Sequence, residues 1–155
     1  MTSRLDYAHA APEGMKALGV AHSYVGASGL GKALVELVYL RVSQINGCAY
    51  CLDLHTRALI AEGFTVEKLA LVSVWREAEA LFSERERAAL AWAETTTRVA
   101  ETGIPDAEFS AVSTQFAEKE LADLTIAIGL MNAYNRIAIA FRATPGAVKR
   151  AASHA

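Results

Sequence analysis

The chain has 155 residues, 53% of them hydrophobic, with 15 basic against 17 acidic side chains and a formal net charge of −2. That length suffices for one domain with a closed core, and with no basic run longer than Lys149-Arg150 neither nucleic acid nor an anionic membrane is expected as a partner. The first residues, MTSRLDYAHAAPEG, lack an apolar h-region, and no apolar run approaches the ~18 residues of a spanning helix, so a cytoplasmic protein with reduced thiols is expected.

The chain holds only three prolines, Pro12, Pro105 and Pro145, and strong helix formers fill the spaces between breakers. Pro12 suits the first turn of a helix running to about Ala27. Ser28 is expected to cap the next, LGKALVELVYLRVSQI, where Leu34, Leu37, Val38 and Arg41 recur at helical spacing. Asn46-Gly47 then turns the chain, and CAYCLDLHTRALIAEG reads as a third helix closed by Gly63. Thr65 suits the cap of VEKLALVSVW, and Ser83 with Glu86 makes a capping box before RAALAWAETTTRVAET. Gly103 ends that helix, and Pro105-Asp106 starts AEFSAVSTQF. In the last segment, KELADLTIAIGLMNAYNRIAIAFR, the residues Leu124, Ile126, Ile128, Leu130 and Met131 project in several directions. Such a helix is expected to be buried on most sides, in the core or against another subunit. There is no strand-like alternation, long linker or repeat. The expected fold is all-α, one domain spanning residues 1–155, with about six or seven helices. The mean hydropathy of +0.22 is high for a small monomer and points to apolar surface shared between subunits.

The stretch INGCAYCLDLH, residues 45–55, holds both cysteines, three apart, and a histidine four residues past the second. Residues so spaced lie on one helix face, so the two sulfurs can meet and a disulfide is sterically possible. The first turn of a helix exposes unpaired N–H groups and partial positive charge, which favour the thiolate. His55, one turn beyond Cys51, is placed to accept its proton. Two blander readings stand beside this one. The cysteines could be small inert core residues, or Cys48, Cys51 and His55 could ligate zinc, for which a fourth ligand such as Glu36 would be needed. Haem attachment is excluded because Leu52, not histidine, follows the second cysteine.

The longer stretch ELVYLRVSQINGCAYCLDLHTRALIAEG resembles the core signature of the alkyl hydroperoxidase D-like (AhpD-like) branch of the carboxymuconolactone decarboxylase superfamily. The match consists of a glutamate twelve residues before the first cysteine, the CxxC, and a histidine four after the second: Glu36, Cys48, Cys51 and His55. It continues through LFSERERAALAWAETTT and MNAYNRIAIAFR, and so covers residues 12 to 145 approximately. The resemblance implies a helical homo-oligomer, with a hexamer as first expectation and a trimer or dimer next. It also implies thiol peroxidase or disulfide reductase activity, with Glu36 and His55 relaying protons to the cysteine pair. Read from its apolar surroundings alone, VELVYL, Glu36 would be a solvated surface residue; the resemblance instead sets it against the imidazole of His55. Some members carry a histidine just before the second cysteine, where this chain has Tyr50, which can hydrogen-bond but not accept a proton near neutral pH. Decarboxylases of the superfamily generally lack the cysteine pair.

The leading expectation is therefore a thiol-dependent peroxidase acting on a hydroperoxide, with Cys51 as the attacking and Cys48 as the resolving thiol. No nucleotide-binding fingerprint is visible, so no cofactor is expected and electrons should come from an external thiol or a protein disulfide reductant. The alternatives are a non-catalytic helical oligomer whose dithiol senses redox state or packs, and a lactone decarboxylase-type enzyme that leaves the thiols unused. His9 and His154 are expected at the surface; His22 is expected first in the core or at the surface, with a place lining the site from the first helix as the alternative. Trp75 and Trp92 are expected to pack, and Arg136 to pair with a buried carboxylate.

Overall fold

The computed structural model describes residues 3–153, so His154 lies outside the described residues. Its α-helices are α1 (Tyr7–Ala10), α2 (Pro12–Gly26), α3 (Lys32–Asn46), α4 (Ala49–Ala61), α5 (Val66–Leu71), α6 (Glu84–Thr97), α7 (Val99–Thr102), α8 (Asp106–Ser113), α9 (Glu118–Ala140) and α10 (Gly146–Ala152), with 3₁₀ turns at Val72–Glu77 and Glu79–Leu81. No strand occurs among the described residues. The fold is all-α, as expected. The helices beyond the expected six or seven are α1, α7 and α10, each of four to seven residues.

Helix α3 is the axis of the molecule. Every residue from Leu37 to Ser43 is buried, and α3 packs against α4, α6 and α9. Its Val35, Val38, Tyr39 and Val42 belong to one apolar cluster with Leu124, Ile128 and Met131 of α9. Its Leu37 and Leu40 belong to a second, with Leu59, Val72, Trp75, Phe82 and Leu90. Each such fully buried aliphatic side chain contributes about 1.5–3 kcal/mol relative to exposure, so α3 is held from both sides. Within the chain, α3 is the helix buried on all sides. Helix α9 buries Leu124, Ile128 and Asn135, while Ile126 and, near the helix end, Ile139 are each 45% exposed within the chain.

Local signals hold where capping chemistry is explicit. Ser83 and Glu86 form both halves of the capping box of α6, and the Thr65 hydroxyl accepts the Lys68 N–H. Ser28 does not cap α3. Gly29 and Gly31, at φ 91° and 88°, insert an extra turn, and the Ser28 hydroxyl donates to the Val25 carbonyl, closing α2 instead. The helix expected to run from Thr65 to Trp75 tightens into a 3₁₀ turn after Leu71. There the Trp75 ring enters the core and its Nε1–H donates to Glu94 at 3.1 Å. The helix expected to end at Gly103 breaks at Arg98, and Gly103 (φ 61°) closes the short α7.

Arg136 does not meet a buried carboxylate. It falls on the outward side of α9, where its guanidinium is exposed and donates to the backbone and side-chain oxygens of Asn132. The arginine that does so is Arg41, whose Nε and Nη2 reach Glu94 Oε1 at 2.7 and 2.6 Å. Trp92 packs as expected and donates to Thr125 Oγ1 at 2.9 Å. His9 is exposed.

Candidate active site

The dithiol sits where α3 hands over to α4. Gly47 takes φ 70°, a left-handed conformation that glycine adopts without Cβ strain. Its N–H and that of Cys48 turn back to the carbonyls of Gln44 and Ser43, a Schellman closure that satisfies the last carbonyls of α3. Asn46 fixes the corner from outside by donating to Asn132 Oδ1 and Asn135 Oδ1 at 3.0 and 2.9 Å. Asn135, fully buried, donates in turn to Ser43 Oγ at 3.1 Å. With the corner locked, Cys48 becomes the N-cap of α4, and its sulfur accepts the Cys51 N–H at 3.3 Å. A cysteine here fills the role usual for serine or aspartate, so electron density on its sulfur is stabilised by the helix N-terminus.

Cys48 and Cys51 are joined as a disulfide, with Cα atoms 5.4 Å apart. Both are buried, at 1% and 3% exposure. Because α3 and α4 run as an antiparallel hairpin, Glu36 comes opposite His55, and Nδ1 of the imidazole lies 2.7 Å from Glu36 Oε2. Nδ1–H donated to the carboxylate leaves Nε2 as the ring's acceptor. Glu36 is therefore not the solvated residue its flanks suggest; only 14% of its side chain is exposed. The Tyr39 ring meets the imidazole edge-on, with centroids 5.2 Å apart. Its buried hydroxyl finds no hydrogen-bond partner among the described residues. Burial first, and then the negative charge of Glu36, raise the Tyr39 pKa, so it stays a neutral phenol.

Cys51 and His55 open on one cavity of about 260 Å³. Met15, Leu54, Met131 and Ile137 give it apolar walls, and Tyr7, Tyr50 and Tyr134 add phenol groups. Sequence reasoning missed Tyr7, Met15 and Tyr134, which α1, α2 and α9 bring in from far along the chain. His22 is exposed, as first expected, and it also lines this cavity, its ring 6.1 Å from the Tyr39 ring and 6.3 Å from that of Tyr134. Tyr50 stands in the wall beside Cys51, where it can offer a hydrogen bond but no base. Among the described residues, no three His, Cys, Asp or Glu side chains come together as a metal-binding group. No described helix is long and apolar enough to cross a membrane.

A helix hairpin that carries a CxxC disulfide at its corner, beside a histidine held by a carboxylate, defines a helical dithiol protein. The chain belongs to the carboxymuconolactone decarboxylase family, whose sequence profile matches residues 10–95. A crystal structure from Agrobacterium tumefaciens, of a protein of unknown function (ATU0492) for which an AhpD antioxidant-defence role is suggested, superposes with a TM-score of 0.89 at 41% identity, covering 93% of this chain and 98% of that one. The uncharacterised protein YdfG of Bacillus subtilis strain 168 is 35% identical over 140 residues, 90% of this chain and 95% of its own. The alkyl hydroperoxide reductase AhpD of Corynebacterium aurimucosum is 39% identical over 51 residues, 33% of this chain and 29% of its own. The fold is thus AhpD-like.

Proposed function

We propose that the protein is a thiol-dependent peroxidase that reduces hydroperoxides through its Cys48–Cys51 dithiol. One observation carries the reading: Cys51 shares a cavity with His55, whose other ring nitrogen is held by Glu36, while Cys48 lies within bonding distance behind it. In the reduced protein, His55 Nε2 takes the Cys51 proton, and the thiolate attacks the nearer peroxide oxygen. The O–O bond breaks, Cys51 becomes a sulfenic acid, and the leaving alkoxide receives the proton from His55. Cys48 then attacks the sulfenic sulfur, water leaves, and the disulfide forms. An external thiol, small or on a protein, supplies the two electrons that reopen it. The apolar walls of the cavity suit the alkyl part of an organic hydroperoxide, and the phenols suit its oxygens.

The roles suggested for the Agrobacterium protein and named for the Corynebacterium enzyme support the same chemistry. The test is consumption of an organic hydroperoxide with a dithiol as electron donor. The wild type should turn over, and the double variant Cys48→Ser, Cys51→Ser should sit at the buffer rate. Equal rates in the two would sink the peroxidase reading. A lactone-decarboxylating activity that survives in the double variant would establish the alternative chemistry of the family.

A further inference from the structure

The disulfide is met by two separate cavities, one lined by each cysteine. The first touches Cys51 and not Cys48. The second, of about 390 Å³, touches Cys48 and not Cys51, and Tyr50 and Ala138 stand in the wall common to both. The chemistry of the second is different. It contains neither a histidine nor a carboxylate, but Arg142 lines it beside Ile139, Pro145 and Val148. Among the described residues no carboxylate pairs with the Arg142 guanidinium, and its side chain makes no hydrogen bond. Arg142 also occupies the left-handed position that ends α9, at φ 56°, where glycine is the usual residue. An arginine therefore stands where backbone geometry alone favours a residue without a side chain.

We propose that this second cavity is the entry site for the reductant, and that Arg142 selects a thiol carrying a carboxylate. The inference rests on the dithiol being redox-active, as proposed above, but not on the oxidant being a peroxide. The incoming thiolate attacks Cys48 Sγ from the Arg142 side, forming a mixed disulfide there, and the Sγ–Sγ bond breaks. Its electron pair leaves on Cys51 Sγ, and the proton given up by the incoming thiol reaches that sulfur through His55. A second thiol attacks the reductant's sulfur of the mixed disulfide and releases Cys48, so two thiols become one external disulfide and the protein gains two electrons and two protons. Thiol–disulfide exchange depends on which sulfur is attacked and on how well the other leaves. Here the sulfur of the cysteine that shares a cavity with Arg142 is the one attacked, and that of the cysteine sharing a cavity with His55 leaves. Peroxide and reductant then approach through different openings and do not compete for one.

The experiment starts from the oxidised protein and uses three monothiols: mercaptoacetate (anionic), 2-mercaptoethanol (neutral) and cysteamine (cationic). Each rate of disulfide opening is divided by the same thiol's rate with a small reference disulfide, which removes intrinsic reactivity. The wild type should favour mercaptoacetate over cysteamine about tenfold at low salt, since one opposed charge pair at short range in a screened site is worth about that, and the preference should shrink as salt is raised. Arg142→Lys should keep the preference, Arg142→Glu should reverse it, and Arg142→Gly should abolish it. The glycine variant relaxes the left-handed backbone, so a loss of preference there is not a loss of fold. With the freed thiol capped by iodoacetamide, peptide mapping should find mercaptoacetate on Cys48. Mercaptoacetate on Cys51, or a charge preference unchanged in Arg142→Glu, would overturn the assignment. Because the readout is disulfide opening, a protein that fails to consume peroxide still answers the question.

Discussion

Glu94→Ala is expected to destabilise the fold by about 3–5 kcal/mol, the range for removing one partner of a buried ion pair. Glu94 is 7% exposed. One of its oxygens accepts from Arg41 and from the Trp75 indole, and the other accepts from Arg76. Three elements meet on this carboxylate: α3 through Arg41, the 3₁₀ turn through Trp75 and Arg76, and α6 through Glu94 itself. Alanine leaves the Arg41 guanidinium, 10% exposed as a side chain, with its charge uncompensated in the interior. Arg76 suffers less, because its side chain is 56% exposed and water replaces the lost acceptor. Urea denaturation at pH 7 measures the effect; a loss below about 0.5 kcal/mol, the scale of an ordinary surface change, would refute it.

The same cluster sets an acid limit. Burial alone would raise the Glu94 carboxyl, but the hydrogen bonds of Arg76 and Arg41, the Arg41 charge and the Trp75 indole together outweigh it and hold the group below its ordinary 4.5. A carboxylate with a lower pKa folded than unfolded contributes stability above the unfolded value and loses it as pH falls through the folded one. The urea midpoint of the wild type should therefore drop as pH falls below about 4.5. Glu94→Gln, with no titrating group, should show a flatter acid limb.

His55→Gln is expected to slow the reaction of Cys51 with peroxide by about 100-fold at pH 7, the lower end of what a positioned general base supplies. The loss should shrink as pH rises past about 8.5, the ordinary thiol value, because solvent then removes the proton. Glu36→Gln should fall between wild type and His55→Gln. An amide oxygen still accepts from Nδ1–H at this distance, but the amide can also present its NH₂ and hold the ring in the opposite tautomer. Stopped-flow measurement of the peroxide step from pH 6 to 10 separates these cases. A pH-independent loss in His55→Gln would assign His55 a packing role, and a Glu36→Gln loss larger than that of His55→Gln would contradict the ordering.

The local half of this architecture was legible because it depends on neighbours in the chain. Asn46-Gly47 announced the corner, the CxxC spacing announced sulfurs that can meet, and Ser83 with Glu86 announced the start of α6. His55 followed from its one-turn spacing to Cys51. The rest depends on residues far apart. Glu36 reads as solvated from VELVYL, and it becomes a partner of His55 only because the hairpin folds α4 back along α3. Helices α3 and α9 are both apolar on several faces, and periodicity cannot say which of two such helices has neighbours all round within the chain. Arg136 looked buried for the same reason. The asparagines of MNAYN were a usable signal, since amides in an apolar helix need partners; those partners are the dithiol corner and Ser43. Tyr7, Met15, Tyr134 and Arg142 left no local trace of their place around the disulfide.

The division of labour between the sulfurs admits two arguments from the geometry. Cys48 is the N-cap and has its sulfur next to the Cys51 N–H, which stabilises charge on it. Cys51 shares a cavity with the base. A base that removes the proton during attack acts on one sulfur only, and the apolar cavity proposed for the hydroperoxide is lined by that same cysteine, so Cys51 is the expected attacking thiol and Cys48 the expected resolving one. Mass spectrometry of the two single cysteine variants, reduced and then exposed to an organic hydroperoxide with a sulfenic-acid trap, tests this directly. Cys48→Ser should acquire one trap molecule on Cys51 in a single burst and then stop, while Cys51→Ser should label far more slowly. Labelling of Cys48 in Cys51→Ser as fast as Cys51 labels in Cys48→Ser would contradict the assignment, and no label in either variant would contradict peroxide chemistry at this dithiol altogether.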